Sequence, residues 1–77
     1  MKGNKPITVT IPSHELDDIS SDWGRNAEIC KRLAAAGVPI VGGPLMAKVD
    51  QVNGTLEWSS AAAGLVEVFR YIPKGAK

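Results

Sequence analysis

Ser13-His14-Glu15 sets a hydroxyl, an imidazole and a carboxylate side by side, the three groups of a hydrolytic relay. Such relays are assembled in space, and three consecutive side chains cannot line up as nucleophile, base and orienting acid. His14 is the one histidine of the chain and reads as a loop residue facing solvent. Joined to Asp17 or Asp18, it still lacks the further nitrogen or sulfur ligands of a zinc site. ELDDISSD, Glu15 to Asp22, does not alternate acids and glycine as an oxygen-ligand calcium loop does. Cys30 is the one cysteine, so no intrachain disulfide or cysteine cluster forms, and its place on an apolar helix face makes it a small core residue. Gly42-Gly43-Pro44 lacks the following helix and the Lys-Ser/Thr pair of a phosphate loop. Phe69-Arg70-Tyr71 puts a cation between two rings, but Glu67 shares the rings' face and no neighbouring strand offers a matching aromatic. Trp23 and Trp58 read as core anchors. No catalytic residue, metal site or cofactor is expected, and the chain is read as a protein other than an enzyme.

The elements that carry these residues must fit in 77 residues, enough for one domain with one core. At 44% hydrophobic and 22% charged the composition is globular, with no biased tract that would leave a segment unfolded. A net charge of +1 argues against a protein that wraps nucleic acid without sequence preference. The charge is nevertheless uneven. Glu15, Asp17, Asp18 and Asp22 crowd one stretch, leaving +5 on the rest of the chain. That stretch is either a loop whose charge favours the positive end of a following helix or an acidic contact surface. The start of the chain lacks the apolar core of a signal peptide, and no apolar run approaches the roughly 20 residues that span a membrane. A cytoplasmic protein with no membrane contact is expected.

Along the chain, Ile7, Val9 and Ile11 alternate with Thr8 and Thr10, the period of a half-buried strand, and Pro12 ends it. SHELDDISS is a loop or a single helical turn. From about 22 to 36 the period is helical: Trp23, Ala27, Ile29, Cys30, Leu33 and Ala34 share one side, and Arg25, Glu28, Lys31 and Arg32 the other. Ser20 or Ser21 caps the start, and Gly37 with Pro39 stops the end. Val38 to Val41 offers a short optional strand. Asn53-Gly54 favours a type I′ turn, which predicts a hairpin over 45–59 with Val52 facing Thr55, Gln51 facing Leu56 and Val49 facing Trp58. SSAAAG makes one helical turn, and LVEVFRYI is the last strand. Residues 1–5 and 73–77 are read as tails.

The fold class is therefore α+β: a two-layer sandwich with one amphipathic helix on a three- or four-stranded, mostly antiparallel sheet, in the order β-α-(β)-β-β-β. One helix covers one face of such a sheet. In the last strand Val66, Val68 and Ile72 point one way and Leu65, Phe69 and Tyr71 the other, so one apolar set meets a loop, a second copy or a partner.

KPITVTIPSHEL, with its alternating run ending at a proline, resembles the start of the ribbon-helix-helix repressors. WGRNAEICKRLAAAG is similar to that family's glycine turn and second helix, with Glu28-Ile29 and Arg32-Leu33 at matching places, so the likeness covers roughly the N-terminal 35 residues only. It implies a dimer whose paired strands enter the DNA major groove. Pro6, Thr8 and Thr10 would face the bases, and the backbone at Asn26 and Ala27, opening the second helix, would hold a phosphate.

Two functions are expected from these observations. The first is a small protein-binding or regulatory domain whose partner is another protein or a second copy. Domains of this size and type are common among accessory factors of phages and mobile elements, including inhibitors of host systems. Its contact residues would be Leu65, Phe69 and Tyr71, with Glu15, Asp17 and Asp18 as a second surface. The alternative is a DNA-binding regulator acting through Thr8, Thr10, Asn26 and Ala27.

Overall fold

The computed structural model describes residues 5–43 and 46–75. Strand β1, Ile7–Pro12, has Ile11 buried and Thr8 and Thr10 exposed, as its alternation requires. The chain then makes a single helical turn, α1, Ser13–Asp17. The principal helix α2 spans Asp22–Ala35. Ser21 caps it, its Oγ accepting the Gly24 N–H at 2.9 Å. At the other end the Gly37 N–H donates to Ala34 O and the Val38 N–H to Leu33 O, both at 3.0 Å, with Gly37 at φ +103°. That pair of bonds satisfies two terminal carbonyls and brings the buried side chains of Leu33 and Val38 together.

Four strands follow: β2 (Ile40–Val41), β3 (Lys48–Val49), β4 (Gly54–Ala61) and β5 (Val66–Pro73). β5 lies between β1 and β4 in an antiparallel sheet, and β2 pairs with β3 in a separate antiparallel ribbon. The protein is thus an α+β domain with one main helix, a three-stranded antiparallel sheet and a two-stranded one. Ile11, Leu16, Leu33, Val38, Val49, Phe69 and Tyr71 form one buried cluster between the helices and the sheet. On the other face Val66, Val68 and Ile72 lie half-buried, Val66 in register with Pro12 and Ala61, Val68 with Thr10 and Ser59, and Ile72 with Thr55, and Arg70 pairs with Glu57 at 3.7 Å. Among the described residues no helix is long and apolar enough to cross a membrane.

The 45–59 hairpin does not form. Its first arm is taken by β2, with Ile40 opposite Val49 and Val41 opposite Lys48. Asp50 then turns the chain: its carboxylate accepts the N–H of Val52 at 3.0 Å and the side-chain amide of Asn53 at 2.6 Å. Gly54 is the first residue of β4 and not a turn residue. A Cβ there would collide with the Tyr71 ring, so glycine is needed for close approach and not for a left-handed backbone.

The hairpin that does form is β4–β5, closed by Ala62 to Leu65. Ala62, Ala63 and Gly64 all have positive φ, at 53°, 57° and 88°, and the Leu65 N–H donates to Ala62 O at 3.1 Å. SSAAAG does make one short 3-10 turn, Ala62–Gly64, but neither serine caps it: Ser59, Ser60 and Ala61 belong to β4, and Ala62 and Ala63 take the left-handed conformation that alanine avoids. Of the predicted tails, residues 1–4 and 76–77 lie outside the described residues, whereas Pro73 ends β5 and is buried.

Candidate functional site

The helical layer leaves part of the inner sheet face open. A cleft of about 380 Å³ lies between the start of α2 and the β4–β5 hairpin, with Leu16, Ile29 and Phe69 among its apolar walls and Trp58 on its β4 side. Trp58 points to the helix side because it stands opposite Phe69 in the ladder, and on the edge strand it stays 65% exposed. Its indole is nevertheless fixed. The Nε1–H donates to Glu67 Oε1 at 2.8 Å.

Glu67 is the one acid on the helix side of β5, and its neighbours are all donors. Ser13 Oγ lies 2.7 Å from its Oε2 and Ser60 Oγ lies 3.5 Å from its Oε1. The Ser13 hydroxyl, with Trp58 next and Ser60 last, holds the Glu67 carboxyl below the ordinary glutamate range. Ser13 also ties the hairpin turn down: its N–H donates to Leu65 O at 2.9 Å, and its Oγ is 2.8 Å from Gly64 O. A hydroxyl has one proton, so Ser13 serves Glu67 or Gly64 at any instant.

Charge on the rim is mostly negative. Asp17 comes from α1 and Asp22 opens α2, while Arg25 bonds to Asp22 and, at 2.6 Å, to Ile19 O. The Asp17 carboxylate has no hydrogen-bond or ion-pair partner among the described residues. The cleft can therefore seat an apolar side chain against Trp58, Ile29 and Phe69 and hold a cation at its mouth. Among the described residues no three His, Cys, Asp or Glu groups gather as metal ligands. Cys30 is buried, and that burial pushes its thiol up, away from a reactive thiolate.

The expected site residues divide sharply. Phe69 and Tyr71 are core, 6% and 2% exposed, so they cannot form the proposed outer contact surface. The cause is the β4–β5 register, which turns the Phe69/Tyr71 face toward the helices and the Val66/Val68/Ile72 face outward. Leu65 is 71% exposed, but at the hairpin turn, away from the cleft walls. Of the acidic surface, Asp17 reaches the cleft, Glu15 is taken by Arg32, and Asp18 is exposed at the end of α1. Thr8 and Thr10 lie exposed on β1, which pairs with β5 of the same chain. Asn26 and Ala27 lie in the second turn of α2 and not at its start, and the Asn26 amide donates to Ala47 O at 2.9 Å. Trp23 and Trp58 are surface residues and not core anchors.

Sequence reasoning missed Trp58, Glu67 and Ser13 as a unit. The signal was an acid in the apolar set of the last strand; pairing the strands across AAAG would have set Ser60 opposite it and Trp58 opposite Phe69. No protein-family model, curated protein or solved structure matches this chain.

Proposed function

We propose that this domain acts by binding another protein, with the cleft beside Trp58 as its contact site and without chemistry of its own. One observation carries the reading: a large aromatic side chain is kept exposed and held in one orientation by Glu67 at the mouth of an apolar cleft. Exposed tryptophans are frequent energetic centres of protein interfaces, and fixing one beforehand lowers the entropy lost on binding. The acidic rim at Asp17 and Asp22 adds selectivity for a partner with a positive charge at that point. A regulatory or accessory role, of the kind small phage and mobile-element factors play, is compatible with a domain built around one contact site.

Panning displayed random peptides against the protein and against Trp58→Ala tests this. Peptides retained by the parent and lost by the variant support the reading, provided the variant keeps its circular dichroism spectrum. If no peptide distinguishes the two, Trp58 is not a binding centre.

A further inference from the structure

The two edges of the sheet are not equivalent. Hydrogen bonds just beyond the strand ends fix which backbone groups point outward. The Lys74 N–H donates to Asn53 O at 2.8 Å, so the odd-numbered residues of β4 bond inward to β5. The Ser13 N–H donates to Leu65 O at 2.9 Å, so the odd-numbered residues of β1 likewise bond inward. The outward positions on the β1 side are then Pro6, Thr8, Thr10 and Pro12, and two of those have no N–H to offer. On β4 they are Gly54, Leu56, Trp58 and Ser60, every one with an N–H. Proline blunts one edge against further pairing, and the other is left complete. Residues Glu57 to Ala61 are all exposed.

We propose that the partner segment is an extended strand that adds to the β4 edge and carries a lysine or arginine opposite Trp58. This rests on the protein-binding reading above and names the chemistry of what is bound. A residue paired with Trp58 projects on the indole's side of the sheet. A long basic side chain there lies across the indole, whose face attracts cations, and heads toward the rim where Asp17 is unpaired and Asp22 is shared with Arg25. Apolar side chains on the same face of the strand pack beside Leu56. Main-chain bonds supply affinity and the cation supplies selectivity.

The probe is a peptide of alternating threonine and valine with a central arginine, titrated into isotopically labelled protein. Two relatives serve as controls: one N-methylated at alternate backbone nitrogens, one with glutamate for arginine. The expected result is protection and downfield movement of the Leu56, Trp58 and Ser60 amides by the parent peptide. The N-methylated peptide should not bind, and the glutamate peptide should bind roughly fivefold to tenfold more weakly. Ser60→Pro, which removes an outward N–H the fold does not use, should also abolish binding. Binding of the N-methylated peptide, with changes confined to Ile29 and Phe69, would overturn the edge proposal and leave the cleft reading standing. Equal binding of the arginine and glutamate peptides would remove the cation from it. Protection of the three amides in the free protein that grows with concentration would assign the edge to a second copy instead. Failure of these peptides together with failure of the displayed ones would end both readings.

Discussion

Trp58 and Glu67 sit on neighbouring strands, and the indole N–H of the first donates to a carboxylate oxygen of the second at 2.8 Å. The bond links the exposed ring of the cleft to Ser13, and through Ser13 to the hairpin turn. A strained turn, an acid and the exposed ring of the cleft are thereby one unit.

Glu67→Gln should destabilise the protein at neutral pH and lose that effect in acid. In the folded state the Ser13, Trp58 and Ser60 donors hold the Glu67 carboxyl below its ordinary value, whereas in the unfolded chain it titrates at about 4.3. A depressed folded value contributes stability above the unfolded value and gives it up as pH falls through the folded one. Glu28 and Asp50, also held low, are common to both proteins and drop out of the difference. The gap in urea midpoint between parent and variant should be level from neutrality to about pH 5 and close below it. A gap that stays constant into strong acid would mean that the charge of Glu67 contributes nothing.

Ala63→Gly should stabilise the protein by on the order of 1 kcal/mol. Ala63 has φ 57° and ψ 35°, a conformation that costs an alanine and not a glycine, and this relief outweighs the extra freedom glycine gains when unfolded. Thermal or urea unfolding measures it. A loss of stability on that substitution would show that the turn is not left-handed at this position.

How much of this was legible in the sequence follows from the range of the interactions involved. β1, the capped helix and its glycine stop depend on residues within a turn or two, and Ser21, Gly37 and the Ile7–Ile11 alternation announce them. The short strand Ile40–Val41 falls within the Val38 to Val41 stretch that the sequence offers as an optional strand. The hairpin was misplaced because Asn53-Gly54 has a strong local preference that longer-range pairing overrides: Asp50 captures Asn53, and Gly54 is needed beneath Tyr71. The turn that does form uses two alanines, which carry no local signal for positive φ. With the register unknown, the face that Phe69 and Tyr71 occupy could not be oriented, and the Trp58–Glu67 pair could not be found.

Gly54→Ala should cost about 1–3 kcal/mol, because the added methyl group enters the space of the Tyr71 ring. Tyr71 cannot move away freely: it is 2% exposed and its hydroxyl donates to Asp50 O at 2.9 Å. Tyr71→Phe alone should cost about 1 kcal/mol through the loss of that bond. In Gly54→Ala/Tyr71→Phe the two costs should not simply add, since both changes act on one ring. Strict additivity in urea unfolding would mean that the alanine is accommodated without touching residue 71.

Phe69 and Trp58 mark the boundary between the core and the exposed wall of the cleft. Phe69 is 6% exposed and Trp58, directly across the ladder, is 65% exposed. Phe69→Ala removes a buried ring and should cost about 3–5 kcal/mol, a large part of the 5–15 kcal/mol typical of a domain. Trp58→Ala should cost under about 1 kcal/mol, since most of that ring already faces water. Binding should rank the other way round: at a temperature where both variants are folded, Trp58→Ala loses the retained peptides, and Phe69→Ala, whose ring lines the cleft, weakens them less. Equal stability losses for the two would place Trp58 in the core. If Phe69→Ala instead abolished binding in a folded protein while Trp58→Ala did not, the floor of the cleft and not its exposed wall would be the energetic centre.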